Sequence, residues 1–232
     1  MNIALLGYGK MGKAIEQVAL ERGHKIVLKV DIDHKEYNFS GVDLAIDFSD
    51  PSAAFQNIYN CIENNIPVVS GTTGWLSRYN EIVDFCKLNN GAFIYASNFS
   101  VGVNLFFNLN EYLSKIMKNI HGYDVEMEEI HHIHKLDAPS GTAITLAESI
   151  IENSDKRKWN LENDKDNDLY ISVKREGEVP GTHTVAYNSP VDAIEIKHIA
   201  FNRGGFALGA VVAAEWLLGK EGIFSMKDVL SI

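Results

Sequence analysis

Three of the chain's eight histidines fall within residues 131–134, and Lys135 follows them directly. Imidazole and ammonium groups can both donate protons and pair with anions. Ser140 stands just before a periodic apolar pattern that starts at Gly141, so it is predicted to cap the amino end of a helix. The first backbone N–H groups of such a helix lack internal partners and favour an anion. This stretch therefore predicts a binding site for a small carboxylate, with proton donors beside it.

The same histidines allow other interpretations. A zinc ion could be held by His132 and His134, with His131 as a further ligand, and a histidine-rich segment can also be a solvated strand end. If the strand that enters this segment stays extended as far as Lys135, then His131 and Lys135 share one face, while His132 and His134 share the other. Such an arrangement pairs an imidazole with an ammonium group as candidate acids.

The composition limits the classes of function. The chain has 232 residues, of which 46% are hydrophobic and 22% are charged, as in ordinary globular proteins. Its formal net charge of −10 argues against a nucleic-acid partner, because such partners need a basic surface. No signal-peptide pattern is present, and the longest apolar tract, residues 206–218, is too short to span a bilayer. Cys61 and Cys86 lie in helix-like patterns and are expected to be buried free thiols. We therefore expect a soluble, cytoplasmic protein.

A dinucleotide-binding fingerprint stands at the start of the chain. The apolar run of residues 2–6 is followed by Gly7-Tyr8-Gly9-Lys10-Met11-Gly12, a helical pattern, a second β-like run at residues 25–30 and then Asp31. The glycines permit a tight turn, close approach of the backbone to a pyrophosphate, and close packing of helix on strand. Asp31 is placed to accept hydrogen bonds from the adenosine ribose. This context predicts a dinucleotide cofactor.

The choice between NADH and NADPH is less determined. The carboxylates of Asp31, Asp33 and Asp50 would repel a ribose 2′-phosphate, which favours NADH. His34 and Lys35 lie close in sequence and could neutralise that phosphate in part, so NADPH stays open.

Apolar runs continue to alternate with helical patterns as far as residue 95. Strands are predicted at residues 42–48, 67–70 and 92–95, with helices at 51–64 and 77–88 between them. This alternation predicts an α/β domain with a doubly wound parallel sheet, the Rossmann arrangement. Gly71–Gly74 breaks the chain where the fourth strand ends, so its backbone N–H groups are candidates for contacts with the nicotinamide half of the cofactor.

The middle of the chain predicts a smaller α+β domain with a mostly antiparallel sheet. Helical patterns cover residues 103–118 and 141–153, and β-like runs cover 125–130, 169–175, 183–187 and 193–198. The polar segment 155–168 is interpreted as a surface excursion. His183 and His198 are expected to be cross-strand surface or interface residues.

The apolar pattern of residues 206–218 surrounds the whole helix, so that helix is predicted to be buried, against the nucleotide-binding domain. The predicted domains are therefore residues 1–98 with 203–232, which bind the dinucleotide, and residues 99–202, which bind substrate and mediate oligomerisation.

Taken together, the motifs resemble the dihydrodipicolinate reductase family. The points of match are Gly7–Gly12, Gly71-Thr72-Thr73-Gly74, residues 98–104 and, most specifically, residues 129–143, which read EIHHIHKLDAPSGTA. The resemblance implies the reduction of 4-hydroxy-tetrahydrodipicolinate, a cyclic imine dicarboxylate, to tetrahydrodipicolinate. Hydride comes from NADH or NADPH in this reaction of lysine and diaminopimelate biosynthesis. It also implies a homotetramer formed through the second domain, and no metal.

The resemblance also implies roles for individual residues. His131 and Lys135 become the catalytic proton donors. The substrate contacts become His132, Ser140, Gly141, Thr142 and Arg203. The cofactor site becomes Gly7, Tyr8, Gly9, Lys10, Met11, Gly12, Asp31, Phe48, Gly71, Thr72, Thr73, Ala96, Ser97, Asn98 and Phe99. Ile133 departs from the family pattern, because a basic residue is common there.

Three rival functions remain at this point. One is a dehydrogenase of another small amino or keto dicarboxylate, with an aspartate dehydrogenase-like activity as an example. The second is a nucleotide-sensing binding protein without catalysis, which would not need paired acids beside the nicotinamide. The third is a zinc protein that uses His131, His132 and His134.

Overall fold

The computed structural model describes residues 1–31, 37–162, 167–202 and 204–232. The strands are β1 Asn2–Leu6, β2 Lys25–Val30, β3 Leu44–Asp47, β4 Val68–Ser70, β5 Ala92–Tyr95, β6 Asp124–His131, β7 Trp159–Asn160, β8 Leu169–Arg175, β9 Gly181–Asn188, β10 Ala193–Ala200 and β11 Gly222–Phe224. The helices are α1 Lys10–Glu21, α2 Pro51–Glu63, α3 Tyr79–Leu88, α4 Val101–Met117, α5 Gly141–Glu152, α6 Gly204–Leu217 and α7 Met226–Leu230.

The chain divides into two compact units. The first comprises residues 1–101 and 204–232, and the second comprises residues 102–203. The sequence placed these boundaries at 98/99 and 202/203.

The first unit is built on a parallel sheet with the strand order β11-β5-β4-β3-β1-β2. Successive side chains of a strand point to opposite faces, so both faces of this sheet can be buried. In β1, Ile3 and Leu5 join an apolar cluster with α1 and α6, whereas Ala4 and Leu6 join a cluster with α2 and α3. This is the doubly wound arrangement that the alternation predicted, and the α/β fold class is confirmed.

Helix α6 belongs to the core of the first unit. Its buried residues Ala207, Ala210, Val211, Ala214 and Leu217 pack in the same cluster as β1. The partly buried Glu215 pairs with Arg22 and His24 at 2.7 Å each. The edge strand β11 and the short helix α7 follow α6, and the sequence reading did not predict either of them.

The second unit has a mixed sheet with the order β10-β9-β6-β8-β7. Strand β6 is antiparallel to β9 and parallel to β8, and β7 is also parallel to β8. The expected antiparallel pairing therefore holds for β6, β9 and β10. The chain passes through α5 between β6 and β8, and a helical crossover of this kind returns the chain in the parallel direction. The charged segment 155–168, interpreted as a surface excursion, contains β7.

Both cysteines, Cys61 and Cys86, are free and buried, as predicted. Burial raises the pKa of Cys61 well above its usual value and that of Cys86 to about 11. Within the described part of the chain, no helix combines the length and apolar character needed to cross a membrane.

Candidate active site

The predicted cofactor residues of the first unit meet at the carboxyl edge of its sheet. Ladder hydrogen bonds place the residues that follow β1, β3, β4 and β5 side by side. These bonds are Gly7 N to Val30 O at 2.9 Å, Phe48 N to Leu6 O at 2.8 Å, Gly71 N to Asp47 O at 2.9 Å, and Ala96 N to Ser70 O at 3.2 Å. Strand β1 lies between β2 and β3, so the order of the sheet reverses there. Open α/β sheets bind ligands at such a point.

The three glycines of the fingerprint differ in their surroundings. Gly7 has a φ of +93°, and a Cβ on it would overlap the carbonyl group of Phe48. A Cβ on Gly12 would overlap the carbonyl oxygen of Gly7. Gly9, the N-cap of α1, is exposed and has open space around the position of a Cβ. Packing therefore requires the first and third glycines, whereas Gly9 leaves open the start of α1, where a phosphate could approach the backbone.

The other residues of this turn and the predicted ribose contact are also located. The Tyr8 hydroxyl bonds Glu16, and Lys29 Nζ donates to Tyr8 at 3.0 Å. Lys10 is exposed, and Met11 is half-buried against the core. Asp31 is exposed and directly follows β2, as the fingerprint requires.

The other acidic residues proposed to select NADH stand differently. Asp33, together with His34 and Lys35, lies outside the described residues. The carboxylate of Asp50 caps α2, because it accepts a hydrogen bond from Ser52 N at 2.9 Å. Among the described residues, Asp31 is therefore the one of these three acids that has the position predicted for a ribose contact, directly after β2.

The completely buried carboxylate of Asp47 fixes the start of the Gly71–Gly74 turn. The Asp47 carboxylate accepts hydrogen bonds from Ser49, Asn57, Ser70 and Thr72 at 2.6–3.1 Å. Burial raises the pKa of Asp47, and these four bonds oppose that rise. The Thr72 side chain therefore points toward Asp47, which leaves only its backbone for a cofactor.

The remaining predicted cofactor residues also occupy distinct positions. A Cβ on Gly71 would overlap the Phe48 ring, so Gly71 allows Phe48 to pack there. Thr73 and Ser97 are exposed, and Ala96 is half-buried. Asn98 accepts a hydrogen bond from Ser100 N at 2.9 Å, and Phe99 is a core residue whose ring lies 5.7 Å from that of Phe48.

The second unit places its titratable groups on the inward face of β6. The alternation of this strand buries Val125, Met127, Glu129 and His131, and the first two pack against α5 in an apolar cluster. Glu129 and His131 therefore continue an apolar stripe with polar side chains. Buried polar groups of this kind require specific partners.

The chain leaves the extended conformation after His131. Ile133 N donates to Gly177 O at 3.1 Å, and Lys135 N donates to His132 O at 3.1 Å, which forms a turn. Strand β6 ends at His131, so the condition for His131 and Lys135 to share one strand face, an extended chain as far as Lys135, is not met. In a continuous strand, His131 and His132 would point to opposite faces. The turn that starts at His132 removes this restriction, which a shared role of the two histidines in substrate binding requires.

The side chains of this turn differ in exposure. The Lys135 ammonium group lies 2.7 Å from the Asp137 carboxylate, and the Lys135 side chain is 19% exposed. His132 is half-buried, and its buried Nδ1 has no hydrogen-bond partner among the residues that the structure describes. His134 is largely exposed and lies 3.5 Å from Glu178.

Three strands contribute a buried cluster around Glu129. The register pairs Glu129 with His183 on β9 and His131 with Arg175 on β8. Glu129 Oε2 accepts a hydrogen bond from Ser140 N at 2.9 Å, and Oε1 accepts from the Arg175 guanidinium at 3.3 Å. Burial opposes the charge of Glu129, but Ser140 and the two histidines hold the pKa of its carboxyl group below its usual value.

Burial lowers the pKa of both histidines of the cluster, His131 and His183, which favours their neutral forms. Burial lowers the pKa of His131, Glu129 opposes this effect, and the charges of Lys135, Arg175 and His132 lower it further. Burial and His131 lower the pKa of His183 to about 4. His183 is only 5% exposed, so its interpretation as a surface residue is wrong. Half-buried His198 lies against the ring of Phe106.

The donor atoms of Glu129, His131 and His183 lie within 4.8 Å of one another, which is compatible with a metal ion. However, Arg175 and Ser140 N already occupy the two oxygens of Glu129. The positive charge of Arg175, 3.3 Å from Glu129 Oε1, would repel a divalent cation bound there. Among the residues that the structure describes, His131, His132 and His134 do not form a metal-binding group.

The predicted substrate helix begins as expected. Ser140 is the N-cap of α5, and its hydroxyl accepts from Ala143 N at 3.2 Å and lies 3.1 Å from His183 Nε2. Gly141 is exposed and Thr142 is half-buried in the first turn. Arg203 lies outside the described residues.

The sequence reading assigned no role to Glu129 or Arg175. Both depend on the register between β6, β8 and β9, which joins residues 46 positions apart. The alternating pattern of residues 125–131 could have placed Glu129 on the buried face beside His131. Its partners could not have been read from the sequence.

Comparisons with known proteins match one family along nearly the whole chain. The family model described as "Dihydrodipicolinate reductase, N-terminus" matches residues 1–99, and "Dihydrodipicolinate reductase, C-terminus" matches residues 102–230. A 4-hydroxy-tetrahydrodipicolinate reductase of Christiangramia forsetii is 57% identical over 100% of this chain and 98% of that protein. One of Methanoregula boonei is 36% identical over 82% of this chain and 75% of its own.

A solved structure agrees in fold. The dipicolinate-bound dihydrodipicolinate reductase of Paenisporosarcina sp. TG-14 superposes with a TM-score of 0.80, at 21% identity, over 97% of each chain. The sequence matches extend through both units and include the segment with Glu129, His131 and Ser140. The chain therefore belongs to the dihydrodipicolinate reductase family.

Proposed function

We propose how this chain carries out the reaction of its family, the reduction of 4-hydroxy-tetrahydrodipicolinate in lysine and diaminopimelate biosynthesis. The first unit binds a nicotinamide dinucleotide at the carboxyl edge of its sheet, and the second unit binds the substrate at residues 131–142. One observation carries the assignment of the substrate site. Buried His131 and the N-cap of α5 both adjoin one carboxylate, that of Glu129, and the charge of Lys135 acts on His131.

The start of α5 suits a dicarboxylate. The backbone N–H groups of Gly141 and Thr142 lie in the first helical turn, where an anion is favoured. The Thr142 hydroxyl can add a contact. The Ser140 hydroxyl already serves the helix cap and His183, so we assign Ser140 to shaping the site.

The two proton donors have different resting states. Lys135 carries an ammonium group, whereas the lowered pKa of His131 favours its neutral form in the ligand-free chain. A doubly negative substrate beside His131 would raise that pKa and favour the imidazolium form. The substrate's 4-hydroxyl group leaves as water, which gives a conjugated imine ring. A bound cofactor would supply hydride to this ring, and Lys135 and His131 would supply the proton and stabilise the negative charge that develops on it.

We test this assignment with Lys135→Ala. Loss of a positioned acid lowers turnover by about 10²–10⁴-fold, and the dissociation constant of NADH, measured by fluorescence titration, stays unchanged. His134→Ala is the matched control, because His134 is exposed in the same turn, and it keeps full turnover. Retained turnover in Lys135→Ala, or a large loss of NADH binding, would contradict the proposal.

We also propose that NADH is preferred over NADPH. Exposed Asp31 after β2 supports this preference, since its carboxylate suits a ribose 2′-hydroxyl and repels a 2′-phosphate.

Finally, we propose a homotetramer formed through the sheet of the second unit. Helix α5 packs on one face of this sheet. The opposite face forms a shallow depression lined by Glu126, Glu128, Tyr170, Ser172, Thr184, Ala186 and Glu195. Sedimentation equilibrium measures the assembly, and a monomer at micromolar concentration would contradict it.

A further inference from the structure

We propose that buried Glu129 and half-buried Arg175 form an ion pair that positions both proton donors, His131 and Lys135, and the amino end of α5. This inference rests on the proposed function, because it assumes that His131 and Lys135 act on the substrate. Glu129 and Arg175 are positioning residues, since they act through the groups that they hold.

Glu129 is the fixed point of the arrangement. Its side chain is fully buried, and both carboxylate oxygens have partners. Oε1 accepts from Arg175 Nη1 and Nη2 at 3.3 and 3.4 Å, and Oε2 accepts from Ser140 N at 2.9 Å. A buried carboxylate is costly without such partners, so the contacts determine where it lies. From this position Oε1 stands 3.8 Å from His131 Nδ1.

Arg175 extends the arrangement to the loop after β6. Its Nε donates to the carbonyl of Lys135 at 3.2 Å, and Nη2 donates to the carbonyl of Asp137 at 2.7 Å. Residues 135–137 have no regular secondary structure, so their carbonyl groups need donors from elsewhere. Arg175 therefore fixes the backbone that carries Lys135, while the Lys135 ammonium group keeps its separate contact with Asp137.

One guanidinium group thus joins the end of β6, the loop and, through Glu129, the start of α5. The geometry requires arginine, because a planar fork can donate to a carboxylate and to two carbonyl groups at once. A lysine at this position has a single ammonium group and cannot reproduce these directions.

The ion pair also sets the electrostatic surroundings of His131. Within the described parts of the chain, the charged and titratable groups that face this imidazole are Glu129 on β6, Arg175 on β8, His183 on β9, and His132 and Lys135 in the following turn. Among these groups, Glu129 alone raises the pKa of His131. Removing the charge of Glu129 therefore lowers the pKa of His131 further and makes protonation of His131 harder.

The first test is Glu129→Gln, which keeps the volume and removes the charge. We expect kcat to fall roughly 10–100-fold, the effect of misplacing reacting groups by about 1 Å, with an unchanged dissociation constant for NADH. Ring NMR signals of His131, assigned with His131→Gln, should titrate at lower pH than in the unchanged protein. A purely structural role for Glu129 would not move this titration.

The matched control is Glu178→Gln, the same substitution in the loop after β8. The Glu178 side chain is exposed and lies 3.5 Å from His134. This variant should keep both the turnover and the titration of His131.

The second test is Arg175→Lys, which retains the positive charge but not the fork. We expect Arg175→Lys to fold and to have a reduced kcat. If circular dichroism shows that Glu129→Gln does not fold, the kcat of Arg175→Lys tests the positioning role by itself. Wild-type turnover in folded Arg175→Lys, or an unchanged His131 titration in folded Glu129→Gln, would overturn the inference. If His131→Gln and Lys135→Ala also kept full turnover, the proposed function itself would fail. If they lost turnover while the ion-pair variants did not, only this inference would fail.

Discussion

Gly209→Ala should destabilise the first unit by about 2 kcal/mol or more. Gly209 lies in α6, where a Cβ would stand 1.6 Å from the carbonyl oxygen of Phe99 and 2.7 Å from its carbonyl carbon. Extra methyl groups in a packed core cost about 1–3 kcal/mol and sometimes more. The upper end applies here, because the obstacle is backbone and cannot rotate away. The higher helix propensity of alanine offsets about 1 kcal/mol of this cost. The net loss of unfolding free energy is therefore about 2 kcal/mol or more.

For a chain of this length, that loss corresponds to a fall of about 4–8 °C in the unfolding midpoint. Urea and thermal unfolding, followed by circular dichroism, measure the effect. Gly205→Ala is the matched control in the same helix, because a Cβ there would lie 3.4 Å from Ser100 Oγ and needs little adjustment. If Gly209→Ala unfolded at the same urea concentration as Gly205→Ala, the close approach of α6 to Phe99 would be refuted.

Three further predictions follow from individual groups. Asp31→Ala should weaken NADH more than NADPH in parallel titrations, and equal weakening would remove Asp31 from the ribose site. The folded-state pKa of His183, about 4, lies below the ordinary value of 6.5, so the unfolded chain binds the proton more readily. The free energy of unfolding should therefore fall between pH 6.5 and pH 4, by about 3 kcal/mol at most. His183→Gln should flatten this slope and exposed His134→Gln should not; a slope unchanged by His183→Gln would contradict the assignment. Purified protein should contain no stoichiometric zinc by elemental analysis and should keep its turnover in EDTA; loss of turnover would favour a metal at Glu129, His131 and His183.

The Rossmann arrangement could be predicted because its signals are local. The strand Asn2–Leu6, the glycines after it and the alternation through residue 95 each lie within short windows of sequence. The edge strand β11 escaped prediction because it has only three residues and pairs with β5 from far along the chain.

Only part of the candidate site could be predicted from the sequence. The histidines and the Ser140 cap could be located, since spacing and capping chemistry are local. The alternation of faces does not extend to Lys135, because β6 ends at His131; there Glu176 N donates to His131 O and Ile133 N donates to Gly177 O. Arg175 and His183 were not recognised because strand register across the sheet brings them to Glu129, and no short window of sequence contains that information.

The order of the units along the chain affects how the protein can be made. The first unit receives α6 and its edge strand β11 from residues 204–224, so its sheet cannot be completed until these residues have been translated. All residues of the second unit, 102–203, are made before α6, so this unit is available to fold before the first unit is complete. A fragment that ends at residue 101 would lack the helix whose Ala210, Val211 and Ala214 cover β1, and we expect such a fragment to aggregate on expression.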